Sequence, residues 1–469
     1  MNFYLISILA FVFILGTAVI LHEFGHFIVA KLLGIRVETF SVGFGPRIFG
    51  RRWGTTDYRL SLIPLGGYVK MGGDESNAPI EGSGGENVPD HERFDLRPRW
   101  QKIAVGLAGP TMNILTALAV PFVLALYMGV PATPAPVVSQ LREGGAAAAA
   151  GLRTGDRTVS FNGVENPSWD RMRGDALLSP DRPLPVVVER NGQRLPLTIT
   201  PTKRTEGTES LGELDFRPDY GDARIIISEE VEQNTPAAQA DLQAQDRILS
   251  INGEPVASSE QTRQLIRESK TLPLHVAFER NGERKETAAT PGQLSGGVRG
   301  LGVRLMEILP MHSVGPIAAF RHSVRSNIEV IRLTGNALGQ VFSGERSARD
   351  TFAGPIGIAR ASSVAATTAG WEGVFMLLGF LSLNLGVFNL LPIPVLDGGM
   401  IFMVLVEGLL GWMGISLSMQ VRERIQQAGF VALLLLMGFV ITNDLIKEAS
   451  LRFRSTPEAA QPAPAPEPK

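Results

Sequence analysis

The 469-residue chain has no cysteine. That excludes disulfides, thiolate metal ligands and a cysteine nucleophile together, so any metal must be held by His, Asp or Glu. It has no basic excess either: the net charge is −2 and the pI about 6.4, which leaves no overall electrostatic footprint for nucleic acid. What the chain does have is apolar surface, 44% hydrophobic residues gathered into runs rather than spread. Its length leaves room for about three domains.

A charge-free run of about 18 or more residues can cross the ~30 Å hydrocarbon core as a helix. Four stretches qualify: 1–22, continuing past a polar trio into 27–33; 103 to about 130; 373–396; and 425–443. The first lacks a basic start and a small-residue cleavage site, so it reads as a span rather than a cleaved leader. Between the first two spans lie Lys31, Arg36, Arg47, Arg51, Arg52, Arg59, Lys70, Arg93, Arg97, Arg99 and Lys102. Short loops rich in Lys and Arg stay cytoplasmic, so the amino terminus and the long region between spans two and three are expected outside. Arg422 and Arg424 agree with this orientation, and Lys447, Arg452 and Arg454 argue weakly against it.

Between spans two and three the chain repeats itself. "LRTGDRTVSFNG" (152–163) aligns with "LQAQDRILSING" (242–253), and "VERNGQ" (188–193) with "FERNGE" (278–283), at one offset. A period this long means tandem domains rather than a solenoid. Each copy runs from a small-residue stretch through an Asp-Arg turn and an alternating β-branched run to an Asn-Gly turn, the order of a short helix, a strand and a tight turn. The pattern resembles the PDZ domain, which binds extended peptides or chain ends by adding a strand to a sheet edge. In the second copy Asp241 and Gln245 stand where the first has Gly151 and Gly155. If those positions need φ > 0, its turn is strained or reshaped, and a spacer or size filter without ligand stays open for that copy.

The polar trio is "HEFGH" (22–26). On a helix His22 and His26 share a face and can converge on one metal ion, with Glu23 beside the site as a carboxylate able to take a proton from water. Each ionisable residue in a span costs roughly 2.5–3.5 kcal/mol, so three within five positions need a shared purpose. Catalytic zinc usually has three protein ligands. His91, His275, His312 and His322 fall in polar loops, a repeat strand or a connector outside the membrane. The better third ligand is Asp397 in "NLLPIPVLDGG" (389–399), where two prolines and two glycines break the helix and free backbone groups inside protein or a wet cavity. Other readings stay open on these residues alone: a polar helix end at the headgroups, a capping role for Asp397, a membrane-anchored peptide-binding scaffold with a degenerate metal site, or the ion path of a metal transporter.

HExxH in a first hydrophobic helix, N-x-x-P-x-P-x-x-D-G in a later one and a PDZ insertion between spans two and three together resemble the site-2 protease family of intramembrane zinc metalloproteases, most closely its bacterial regulator-of-sigma-E group with two PDZ domains. The resemblance implies that His22, His26 and Asp397 bind Zn2+, that Glu23 is the general base, and that Asn389, Pro392 and Pro394 help seat the substrate strand. "GFGPRIF" (43–49) and "YRLSLIPLGGYVKM" (58–71), with Gly66 and Gly67, look like the family's membrane-dipping β-hairpin, proposed to pair with unwound substrate; an ordinary cytoplasmic hairpin is the alternative. "AGPTMN" (108–113) matches a family signature whose small residues permit close helix packing. "FDLRPRWQKI" (94–103) reads as an interfacial stretch with Trp100 at headgroup depth. "FAGPIGIA" (352–359) is another similar stretch, with no chemistry assigned beyond packing near the site.

The expected fold is therefore a multi-pass α-helical membrane protein with about four transmembrane helices, two tandem mixed α/β PDZ domains and a membrane-associated β-hairpin region. The expected segments are 1–34, 35–102, 103–131, 132–203 and 210–293 for the PDZ pair, a connector at 294–371, the third span at 372–409, a loop at 410–424, the fourth span at 425–446 and a disordered tail at 447–469. The implied activity is zinc-dependent cleavage of a single-span membrane protein, such as an anti-sigma factor already trimmed by another protease. The implied partners are that substrate, a peptide or substrate outer domain at the PDZ pair, and the lipid bilayer, with no nucleic acid. The implied location is the bacterial inner membrane.

Overall fold

The structure is a computed structural model that describes residues 3–73, 88–142, 144–206, 209–221, 223–228, 231–256, 258–269, 273–294, 299–414 and 418–455. It divides into two units, residues 1–127 with 205–210 and 315–469, and residues 128–204 with 211–314.

The first unit carries α1 (Phe3–Leu32), β1 (Val37–Trp53), β2 (Thr56–Met71), α2 (Arg99–Met128), α3 (Pro316–Phe342), α4 (Pro355–Thr368), α5 (Gly370–Asn389), α6 (Asp397–Trp412) and α7 (Met419–Ser455). Among the described residues four helices are long and apolar enough to cross a membrane: Ile8–Leu32, Arg99–Met128, Gly370–Asn389 and Gln420–Ala449. The expected third span at 372–409 is two helices, because Pro392 and Pro394 lack amide protons and disfavour helix at the residues before them. Residues 447–455, expected in the disordered tail, continue α7, since no Gly or Pro interrupts the chain before Pro457. Residues 456–469 lie outside the described residues. His322, expected in a connector outside the membrane, lies on α3, which docks on α2.

Polar side chains repair what prolines and helix ends leave open. Pro121 inside α2 has no amide to offer the Ala117 carbonyl four residues back. Asn327 Nδ2 of α3 donates to that carbonyl at 3.0 Å, and Ser323 Oγ donates to Leu118 O at 2.6 Å. The "FAGPIGIA" stretch opens α4, whose free amides at Gly354, Ile356 and Gly357 donate to the Asp444 carboxylate of α7 at 3.0–3.1 Å. A carboxylate at a helix amino terminus satisfies both the orphan amides and the helix dipole. Gly354 is what admits it, since a Cβ there would lie 2.7 Å from Asp444 Oδ2.

The hairpin is folded back on itself. Thr39 stands opposite both Lys70 and Asp57, and Val42 opposite both Gly67 and Leu60, so residues 39–42 lie between two stretches of β2. Ile48, Phe49, Trp53, Leu62 and Ile63 stay exposed on it, Trp53 by 80%.

The second unit holds two sheets of the same strand order. The first runs 216–219, 135–141, 157–161, 184–190, 193–199, and the second 305–308, 224–227, 247–251, 274–280, 283–289. Strands 157–161 and 184–190 reappear 90 residues later as 247–251 and 274–280. Each sheet takes a closing strand, 216–219 or 305–308, from beyond the boundary drawn from sequence at 203 or 293; four-residue edge strands carry too little periodic signal to be read. The ends of the unit are tied together, Val130 and Pro131 pairing with His312 and Met311.

Both copies keep the same turn. Gly151 and Gly155 have φ of 85° and 90°, and Asp241 and Gln245 adopt 55° and 70°, so the second copy holds the left-handed turn without glycine. Asp241 is compensated by Arg280 Nη1, 3.0 Å from its carboxylate. In each copy an arginine clamps a buried aspartate through two bonds: Arg190 Nε and Nη2 on Asp156 at 2.7 and 2.6 Å, Arg280 on Asp246 at 2.7 and 2.8 Å. The aspartates also accept from the Arg153 and Gln243 amides at 2.8 Å. Burial alone would push the Asp156 carboxyl up, but the Arg190 and Arg153 hydrogen bonds outweigh it and hold its pKa below the ordinary value. A depressed carboxyl pKa stabilises the fold above the unfolded value near about 3.9 and loses that contribution as pH falls through the folded value. Asp156→Asn is therefore expected to destabilise the first copy, because a neutral amide cannot take both charge-assisted hydrogen bonds from the partly exposed Arg190 guanidinium. Thermal unfolding across acidic pH checks it, the variant losing the part of the acid dependence that Asp156 supplies.

Candidate metal centre

The run from Phe3 to Leu32 contains no proline and no charge before His22, so α1 forms without interruption and stacks His22 above His26 on one face. Both are buried. Asp397 comes from the first turn of α6, because the proline-broken loop 390–396 restarts the chain as a helix at that residue. Val395 in this loop has φ of 84°, a left-handed conformation that a β-branched residue adopts only under strain.

The three side chains converge. His22 Nε2 is 3.1 Å from Asp397 Oδ2, His26 Nε2 is 3.4 Å from Asp397 Oδ1, and the two Nε2 atoms are 3.3 Å apart. Ligands about 2.0–2.1 Å from a tetrahedral ion lie ~3.3 Å from one another, which is the separation of the two nitrogens, while the carboxylate turns a different oxygen to each imidazole. His26 Nδ1 donates to Val105 O at 2.8 Å, which leaves Nε2 with its lone pair for a metal. Among the described residues this is the one His/Asp/Glu group that could hold an ion, and none of the other four histidines joins it.

Glu23 sits beside the cluster, close to the backbone of Val69 in β2. A Cβ on Gly67 would lie 3.2 Å from Glu23 Cγ and 2.8 Å from Ser41 O, so the bare backbone at Gly67 is what lets β2 approach. Asn389 Nδ2, at the end of α5, is 3.3 Å from His22 Nε2. The remaining residues expected to seat substrate lie against other partners. Gly66 faces the Phe44 ring with φ of 146°, Pro394 packs on Gly429 of α7, and Pro392 is exposed.

Several residues that build the site have no role at the metal read from sequence, Gly109 and Asn113 entering there only through the packing signature "AGPTMN". Gly25 and Gly109 set the approach of α1 to α2: a Cβ on Gly25 would lie 2.3 Å from Ala108 O, and one on Gly109 would lie 2.3 Å from His26 Nε2 and 2.8 Å from His22 Cε1. Asn113 Nδ2 lies 3.1 Å from His22 Nδ1, and Ser382 Oγ of α5 donates to Asn113 O at 3.1 Å. Asn113 was legible, since a fully buried amide in an apolar span demands a polar partner; Ser382 carried no such signal. Gly109→Ala is expected to lower bound metal by roughly tenfold or more, the scale on which disturbed imidazole surroundings act. Metal analysis of the purified variant, with helicity unchanged by circular dichroism, checks this.

The family model for peptidase family M50 matches residues 10–436. A regulator of sigma E protease of Salmonella typhi is 31% identical over 466 residues, covering 93% of this chain and 98% of that protein. The regulator of sigma-E protease RseP of Escherichia coli K12 is 30% identical over 472 residues, covering 94% and 98%. A Vibrio cholerae protein whose name calls it a zinc metalloprotease is 30% identical over 468 residues, again covering 94% and 98%. The chain thus belongs to peptidase family M50, the site-2 protease family, and is a metalloendopeptidase.

Proposed function

We propose that the chain is a zinc endopeptidase that cuts a peptide bond within or beside a single membrane-spanning helix of its substrate, an anti-sigma-factor-like protein already trimmed outside the membrane. The observation that carries this reading is the convergence of the His22, His26 and Asp397 side chains inside apolar helices, with Glu23 and a bare strand at Gly67 beside them. Zinc held by those three side chains would supply Lewis acidity to a water and to the scissile carbonyl. Glu23 takes the proton of the attacking water and delivers it to the leaving amine. Asn389 holds the substrate backbone next to His22, and the prolines of loop 390–396 keep that backbone wall from closing into helix.

A helical substrate hides its carbonyls, so it must unwind locally. Residues 67–71 of β2 pair only with 37–42 among the described residues, and their outer edge faces Glu23. A substrate strand added to that edge lies beside the cluster. The exposed Ile48, Phe49, Trp53, Leu62 and Ile63 favour contact of the hairpin with the bilayer.

The density of Lys and Arg between the first two spans supports a cytoplasmic hairpin, with the amino terminus and the duplicated sheets outside the bacterial inner membrane. The duplicated sheets act as PDZ domains that read a new chain end or exclude a bulky outer domain. Their edge strands 216–219 and 305–308 are the strand-addition sites, each bordered by a helix of its module, 169–177 or 259–268.

Purified protein should cut a tagged single-span substrate in detergent. Glu23→Gln should lower that rate by at least 10²–10⁴-fold with zinc content unchanged, because it removes the proton acceptor and no ligand. Wild-type protein that holds no zinc would sink the reading. Excision of 132–310 between the paired ends should let untrimmed substrate be cut; if it stays uncut, the duplicated sheets do not gate.

A further inference from the structure

The two histidines must each present Nε2 to the same point, so each must carry its proton on Nδ1. His26 meets this condition through the Val105 carbonyl at 2.8 Å. His22 Nδ1 faces the side-chain amide of Asn113 at 3.1 Å, deep between α1, α2 and α5, where Asn113 is fully buried. A protonated Nδ1 needs an acceptor there, and the NH2 of an amide is not one. The neighbours decide which end of the amide serves. Ser382 Oγ lies 3.1 Å from Asn113 O and 3.3 Å from the far atom of the amide. The hydroxyl has one proton, which goes to the Asn113 backbone oxygen. If the far atom were the carboxamide oxygen, it would compete for that same proton while two NH2 hydrogens pointed at His22.

The half-turned amide satisfies every group. Its oxygen then accepts from His22 Nδ1, its NH2 donates to the Ser382 oxygen lone pair, and the Ser382 proton remains on the backbone carbonyl. We infer that Asn113 is a positioning residue for the metal centre: its carboxamide oxygen accepts the Nδ1 proton of His22, Ser382 holds the amide in that sense, and His22 is thereby fixed as an Nε2 ligand. Gly109 lies one turn before Asn113 on the same helix face, so α2 supplies both the space for the two imidazoles and the acceptor that orients one of them.

The inference rests on the zinc reading proposed above, and the test separates the two. Zinc affinity of the full-length protein is measured by chelator competition for wild type, Asn113→Asp, Asn113→Leu and Ser382→Ala, with thermal unfolding of each metal-free protein as the control for packing. A carboxylate can only accept, so Asn113→Asp should bind zinc within about threefold of wild type or more tightly, whereas Asn113→Leu should lose roughly 10–100-fold and Ser382→Ala a smaller factor in the same direction. Asn113→Asp as weak as Asn113→Leu would overturn the inference, since a purely structural amide predicts that equality. Asn113→Leu at wild-type affinity would overturn it as well. If Asn113→Leu unfolds without metal, Asn113→Asp against Ser382→Ala decides: retained affinity in the first with loss in the second supports the role, and the reverse order removes it. Wild type without zinc affinity would instead strike the zinc reading itself.

Discussion

Everything in the membrane unit depends on making two imidazoles and two carboxylates tolerable among apolar helices. An isolated ionisable group there is costly, and the cost falls only if the groups meet one another or a cation. His22, His26 and Asp397 do so within 3.4 Å. That convergence demands that α1, α2, α5 and α6 approach more closely than ordinary side chains permit. Glycine at 25, 109 and 386 supplies the approach: Cβ atoms there would lie 2.3 to 2.9 Å from Ala108 O, His26 Nε2 and Pro110 O. The close packing and the proposed chemistry are therefore one constraint, since a methyl group at Gly109 strikes the very atoms that would face a metal.

The same demand for satisfied polar groups explains the irregular parts. Pro121 orphans a carbonyl and Asn327 of α3 meets it; the amino terminus of α4 meets Asp444 of α7. Amphipathic α3 and α4 are thus attached to the spans by hydrogen bonds made at breaks, where water is absent to serve instead. The loop 390–396 follows the same logic at the site, where freed backbone lies next to Asn389 and Asp397.

In the sheet unit a different device repeats. An Arg–Asp clamp pins the turn after the small-residue helix in both copies, and it survives the loss of both glycines in the second because Asp241 brings its own bond to Arg280. Stability in this unit draws on contacts repeated in both copies, the clamp joining residues 34 apart in each, while in the membrane unit the site is held by contacts between residues 79 to 367 apart.

The sequence by itself determined the four apolar helices, the duplicated sheets, the HEFGH pair and the broken segment carrying Asp397, because each is written in local periodicity, in an internal offset or in a charge where charge is costly. Only the tertiary structure decided which residues surround the histidines. Gly109, Val105 and Asn113 touch them from a helix distant in the chain and Ser382 backs Asn113, and no local pattern records that a bare Cα at 109 lies opposite an imidazole or that a hydroxyl at 382 meets the Asn113 amide. The closing strands at 216–219 and 305–308 escaped the sequence for a related reason: an edge strand of four residues is specified by the partner it pairs with rather than by its own alternation.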